Sequence, residues 1–204
     1  MGDAMASAEQ LMEQLSDRVV SFDDEPLILV DPQDREIGFL PKADAHVGHG
    51  TLHRAFSLFV FDPQGRVLLQ QRAAGKRLWP QFWSNTCCSH PRRGEDMESA
   101  IHRRLEEELG FECELRFLFK FQYQAQFDAD GAENELCWVY AGHSDAAPKV
   151  NANEIAALRY VAPDALDAEI EAQPAAFTPW FKIEWARLRR EYSEVMAPLA
   201  THAS

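Results

Sequence analysis

Positive charge is scarce in this chain of 204 residues: 20 Lys and Arg stand against 33 Asp and Glu, for a formal net charge of −13. Such a surface repels phosphate backbones and anionic headgroups, which argues against nucleic acid or an acidic membrane as partner. Long apolar runs are also missing. No stretch approaches the roughly 18 residues that a membrane-spanning helix needs. The opening MGDAMASAEQ lacks the basic-then-apolar order of a secretory signal, so a cytoplasmic protein is expected. Cysteine is limited to Cys87, Cys88, Cys113 and Cys137. None of these forms a CxxC pair, so free thiols in a reducing compartment fit better than zinc or a disulfide frame. Internal repeats and low-complexity linkers are absent.

What is present is a hydrophobic fraction of 46%, enough for one buried core. Residues 8–20 space Leu11, Leu15 and Val19 four apart and predict a short amphipathic helix ahead of the domain proper. The domain starts near Pro26. LILVD and IGFLP read as strands around a DPQDRE turn, and FSLFVFDPQGRVLLQQR repeats that pattern around DPQG, giving two hairpin-like units. Residues 95–109 place Met97, Ile101 and Leu105 on one helical stripe with Gly110 just past the end. Residues 117–127 alternate strictly and put Phe117, Phe119, Phe121, Tyr123, Ala125 and Phe127 on one strand face, with ENELCWVY returning as the partner strand. IAALRYV predicts one more strand, 164–172 a helix opened by Pro163, and 180–194 a closing helix.

Several residues do not fit a purely structural account. On a helical wheel Glu108 falls inside the apolar stripe, between Met97 and Ile101. A carboxylate there needs a partner: either Arg104 one turn earlier, or a divalent cation that keeps it ionised. Glu133 and Glu135 project from the same strand face at about 7 Å, a spacing a metal ion can bridge and a solvated edge strand can also tolerate. His46, His49, His53 and His90 fall in one window together with Cys87 and Cys88. Imidazole with carboxylate suits a six-coordinate divalent ion better than tetrahedral zinc. His49, between glycines, reads as a loop residue without a role. From Arg66 to Arg104 eight basic residues face three acids, a +5 island that a small anion could use.

The segments KADAHVGHGTLHRAFS, RAAGKRLWPQFWSNTCCSHPRRGE, RRLEEELGF, ENE and FTPW, in this order, resemble the type I isopentenyl-diphosphate isomerases of the Nudix superfamily. The likeness runs from residue 27 to about 182, so residues 1–25 are set apart as an extension that either covers the mouth of a site or is idle, and 26–204 as the Nudix domain. The Nudix pattern G-x5-E-x7-R-E-U-x-E-E-x-G-U finds Glu95, Arg103, Leu105, Glu107, Glu108, Gly110 and Phe111 in register. It departs at Ser89, where the pattern begins with Gly, and at Arg104, where pyrophosphohydrolases keep a glutamate.

The resemblance implies an α+β fold with a mixed β-sheet in an α/β/α sandwich, the N-terminal helix being an accessory. It implies that His46, His53, His90, Glu133 and Glu135 hold one Mn2+ or Mg2+. It further implies that Glu108 and the Cys88 carbonyl hold a second Mg2+ with the diphosphate, and that Lys42, Arg72, Lys76 and Arg104 clamp the phosphate oxygens. Cys88, and not Cys87, matches the catalytic cysteine. Glu135 with Tyr123 acts on the opposite face, and Trp180 lays its π-face against a carbocation. The implied reaction is isomerisation of isopentenyl diphosphate to dimethylallyl diphosphate in isoprenoid biosynthesis, by a monomer without nucleic-acid or membrane partners. Two other readings are a Nudix pyrophosphohydrolase, which the substitutions at Ser89 and Arg104 disfavour, and a catalytically silent Nudix-like binding module.

Overall fold

The computed structural model describes residues 18–129 and 131–198. The helix expected over 8–20 thus lies outside the described residues except for positions 18–20, which carry no helix. Strands β1 (Pro26–Val30) and β2 (Glu36–Pro41) form the first expected hairpin, with Leu27 opposite Leu40. Asp31 Oδ1 sets its turn by accepting from the backbone N–H groups of Gln33 at 2.9 Å and Arg35 at 3.0 Å. A four-residue helix α1 (Lys42–Ala45) follows and leads into β3 (His53–Phe61) and β4 (Val67–Arg72).

The second hairpin exists only at its turn, where Asp62 Oδ1 caps the N–H groups of Gln64 and Arg66 and Phe61 pairs with Val67. Beyond that point the strands separate, because both edges of β3 are taken by other strands. Strand β8 (Ala132–His143) runs parallel to all of β3, from His53 opposite Glu135 to Phe61 opposite His143. Strand β6 (Cys87–Ser89) pairs antiparallel on the other side, with Ser57 opposite Cys88. Strand β4 turns instead to β5 (Trp83–Ser84) and β9 (Ile155–Val161). The sheet is therefore mixed.

Strand β3 is central, which is why HRAFSLFVF is an almost unbroken buried run. Ala55, Phe59 and Phe61 enter one layer, and Phe56, Leu58 and Val60 the other. The second layer is closed by α2 (Met97–Leu109), whose Ala100, Ile101, Leu105 and Leu109 are buried. The first is closed by α3 (Pro163–Ala172) and α4 (Pro179–Glu191) through Leu166, Phe181, Trp185 and Leu188. This is the α/β/α sandwich. Helix α4 ends at Glu191, and a 3-10 turn, Ser193–Met196, takes the place of its expected last residues.

Strand β7 (Leu115–Gln126) pairs antiparallel with β8, and its register shifts between Phe117 and Phe119. The shift overturns the strict alternation expected from residue 117. Phe117 packs on Trp138 and Tyr140 and is 45% exposed, while Leu118 and Phe119 both join the first layer. Past the shift the alternation holds, and Tyr123 lies opposite Glu135.

Candidate active site

Side-chain alternation on three neighbouring strands delivers the site to one face of the sheet. His53 on β3 and Glu135 on β8 are direct register partners, and Glu133 lies two residues earlier on the same face. His46 enters from the end of α1 and His90 from just after β6. One ligand atom from each of His46, His53, His90, Glu133 and Glu135 lies within 4.8 Å of the others. Four of the five are buried and His90 is nearly so.

Two carbonyls orient the rings. His46 Nδ1 donates to the Lys42 carbonyl at 2.6 Å, and His53 Nδ1 donates to the Thr51 carbonyl at 2.7 Å, which turns both Nε2 lone pairs inward. There His46 Nε2 meets Glu133 Oε2 at 2.8 Å, and His53 Nε2 meets His90 Nε2 at 3.2 Å. His90 Nε2 is also 3.0 Å from Glu135 Oε1. Glu133 Oε2 is buried without a formed hydrogen bond. Acceptors that face one another so closely need a proton or a cation between them, and a divalent ion satisfies all five at once. Burial, followed by the neighbouring His53 and His46, pushes His90 well below the usual imidazole range, toward the neutral form that ligates. Burial opposes ionisation of Glu133 and Glu135, but the surrounding histidines outweigh it and both carboxyls are held below their ordinary values. The donor set fits a hard or borderline divalent cation.

The same cluster borders a cavity of about 330 Å³, whose wall also includes Cys88, Tyr123, Trp180, Lys42, Arg72, Lys76 and Arg104. Successive residues of β6 point to opposite faces. Cys87 is fully buried against α2, while Cys88 faces the cavity, with Arg72 Nη1 at 3.8 Å from its sulfur. Burial pushes the Cys88 thiol up to about 12 against the pull of Arg72, so the sulfur keeps its proton at neutral pH. Tyr123 Oη donates to Glu135 Oε2 at 2.6 Å. Trp180 packs edge-on to Trp79 with centroids 5.3 Å apart, lies 6.1 Å from the Tyr123 ring, and has a buried Nε1 without a partner.

The cations have separate surroundings. Arg72 is anchored by the carbonyls of Leu78 and Trp79 and lies over the Trp180 ring. Lys76 pairs with Glu154. Arg104 pairs with Glu108, the first of the two partners open to that carboxylate, and also with Glu107 and Glu154. Burial opposes the charge on Arg104, but Glu108 and Glu154 more than offset it. Glu108 is 2% exposed, so its inward position on the helix stripe is real. His49 stays outside, exposed and bonded to Gln126. Glu154, which joins Lys76 to Arg104, was not singled out from the sequence: it stands in a polar stretch before an apolar strand, like any solvated acid. Ser21 and Asp23 in the cavity wall carried no signal either.

The NUDIX domain model matches residues 51–181. Among curated proteins, the chain is 41% identical over 170 residues to isopentenyl-diphosphate Delta-isomerase 1 of Photorhabdus laumondii, covering 82% of this chain and 97% of that one. It is 47% identical over 156 residues to the isopentenyl-diphosphate Delta-isomerase of Nocardia farcinica, covering 76% and 89%. Among solved structures, a Deinococcus radiodurans protein superposes with a TM-score of 0.65 at 26% identity, over 82% of this chain and 99% of that one.

Proposed function

The chain belongs to the isopentenyl-diphosphate Delta-isomerases of the NUDIX family, and we propose that Cys88 and the Tyr123–Glu135 couple exchange the two protons of its reaction from opposite sides of the substrate. The enzyme converts isopentenyl diphosphate to dimethylallyl diphosphate, a step of isoprenoid biosynthesis. One proton joins C4, one leaves C2, and positive charge develops at C3 between the two events. An alkene is a very weak base, so the acid must be held against the double bond and water must be kept out.

The observation that carries this reading is the composition of one cavity: a protonated thiol, a phenol hydrogen-bonded to a carboxylate, an indole and five cations, Lys42, Arg72, Lys76, Arg77 and Arg104, share its wall. In the resting protein Cys88 Sγ holds one proton and Tyr123 Oη another, the latter directed at Glu135 Oε2. Trp180 offers an electron-rich but non-nucleophilic surface to the developing cation, worth about 2 kcal/mol when desolvated. Lys42, Arg72, Lys76 and Arg104 hold the diphosphate. Arg104 sits where a hydrolase needs a glutamate, which favours gripping the diphosphate over cutting it.

His46, His53, His90, Glu133 and Glu135 would hold Mg2+ or Mn2+, and Glu108 with the Cys88 carbonyl a second Mg2+ beside the diphosphate. A bound divalent ion supplies electrostatic stabilisation and tunes the acidity of Glu135. Residues 26–204 form the catalytic domain, which acts as a monomer in the cytoplasm on this small substrate. Among the described residues no helix is long and apolar enough to cross a membrane.

Alanine replacements at the two adjacent thiols test the assignment. Cys88→Ala should abolish turnover of isopentenyl diphosphate while elemental analysis finds the metal content of wild type. Cys87→Ala should turn over within about threefold of wild type, since its side chain packs against α2 and does not reach the cavity. The reverse pattern would place the chemistry on the wrong sulfur.

A further inference from the structure

Residues 18–25 precede the part of the chain that the family resemblance covers, yet they run along the cavity, with Val19, Ser21 and Asp23 in its wall. The stretch is pinned by its backbone. Asn151 Nδ2 donates to the Arg18 carbonyl at 2.8 Å, and Arg104 Nη1 donates to the Val20 carbonyl, also at 2.8 Å. Arg92 Nη2 reaches the same Val20 carbonyl at 3.3 Å. The N–H groups of Ala43 and Lys42 donate to the carbonyls of Asp23 and Glu25 at 2.9 and 2.8 Å. The Val20 side chain is buried. Asn151 and Arg104 are themselves buried, so the stretch is held by groups fixed in the core.

This clasp puts one hydroxyl among the cations. The Lys42 ammonium donates to Ser21 Oγ. Lys76 and Arg104 each have carboxylate partners, whereas among the described residues no carboxylate lies within ion-pair distance of Lys42. Its side-chain partner is a neutral oxygen. A hydroxyl that accepts from an ammonium retains its own O–H to donate.

We propose that Ser21 is a diphosphate-binding residue, its O–H donating to a phosphate oxygen while Oγ accepts from Lys42, so that residues 18–25 complete the anion site from outside. Of the three acids in the same stretch, Asp23 and Asp24 are exposed and screened by solvent, and Glu25 is paired with Arg92. The proposal rests on the diphosphate lying against Lys42, Arg72, Lys76 and Arg104. It makes this stretch part of the substrate site and not an idle leader.

The test compares the full-length, metal-loaded wild type with Ser21→Ala and Ser21→Thr. Calorimetry with inorganic pyrophosphate reads the anion site, and steady-state kinetics with isopentenyl diphosphate read the reaction. Ser21→Ala should weaken pyrophosphate binding and raise KM, each by about tenfold, the scale of one hydrogen bond to a charged group. Its kcat should stay within about twofold, and Ser21→Thr should restore affinity to within about threefold. Unchanged pyrophosphate affinity in Ser21→Ala, or a threonine variant as weak as the alanine one, overturns the proposal. A wild type that binds pyrophosphate through Ser21 but fails to isomerise the substrate would instead overturn the reaction reading and leave the anion site standing.

Discussion

Cys87 and Cys88 have the same chemistry and adjoining positions, and they differ only in which way a strand turns them. That difference was partly legible in the sequence, because neighbours on a strand must face opposite sides, but only once the CCS segment was known to be a strand. The residues of the metal-type cluster were legible as candidate histidines and a carboxylate pair, and only the family resemblance selected the five that the fold brings together. The inward position of Glu108 followed from helical periodicity alone. Glu184 was not legible, because an acid in WFKIEWARLRR reads as the polar side of an amphipathic helix. In the structure it is fully buried on α4, where its Oε1 lies 3.5 Å from Cys137 Sγ and its Oε2 has no partner. Burial raises its carboxyl from an ordinary 4.5 to about 8. The folded protein therefore keeps a proton that the unfolded chain releases, and the stability tied to that proton is complete below pH 4.5 and lost as pH rises to about 8. Glu184→Gln removes the titration. Melting temperatures measured from pH 5 to 9 should show wild type falling relative to the variant across this window, with the variant the more stable above pH 8. Parallel curves would mean that the carboxyl is not held neutral.

Among the elements, α2 was read closely from sequence, because its signals are local. Asp96 accepts from the Ser99 N–H at 2.8 Å at the start, and Gly110 adopts φ 67° at the end. The apolar spacing between them decides the buried face. Strands β5, β6 and the short α1 escaped notice, since two to four residues carry no period. The β7 shift also escaped, because an inserted residue in an aromatic run leaves the composition unchanged. The pairing of β3 with β8 was hidden for a different reason: parallel partners far apart in the chain share no turn. Helix α2 carries both Arg104 and Glu108, so its end matters to the site. A Cβ at Gly110 would sit 2.7 Å from Lys149 Cβ in a left-handed backbone conformation. Gly110→Ala should therefore lower unfolding stability by about 1–2 kcal/mol or more, read as a lower urea midpoint with unchanged slope. A midpoint equal to wild type would show that the helix end relaxes freely.

At the scale of the molecule, a strongly acidic protein gathers five cations and four carboxylates around one cavity. The residues outside segment 66–104 carry a net charge of −18, and this contrast was visible in the sequence as the +5 segment. The closure of that cavity was not visible, because it depends on Lys42 from α1, on Glu154 ahead of β9 and on residues 18–25, brought together only by tertiary packing. The two helical layers pack on opposite faces of the sheet, and Trp180 reaches the cavity wall from the first turn of α4. On the function proposed above, this cavity moves a double bond while the diphosphate stays whole. The most direct measurement is NMR of isopentenyl diphosphate incubated in D2O with the full-length protein and Mg2+ or Mn2+, with inorganic phosphate assayed in parallel. The expected product is dimethylallyl diphosphate carrying deuterium in a methyl group derived from C4, with no phosphate released. Released phosphate, or unchanged substrate in the presence of either metal, would contradict it.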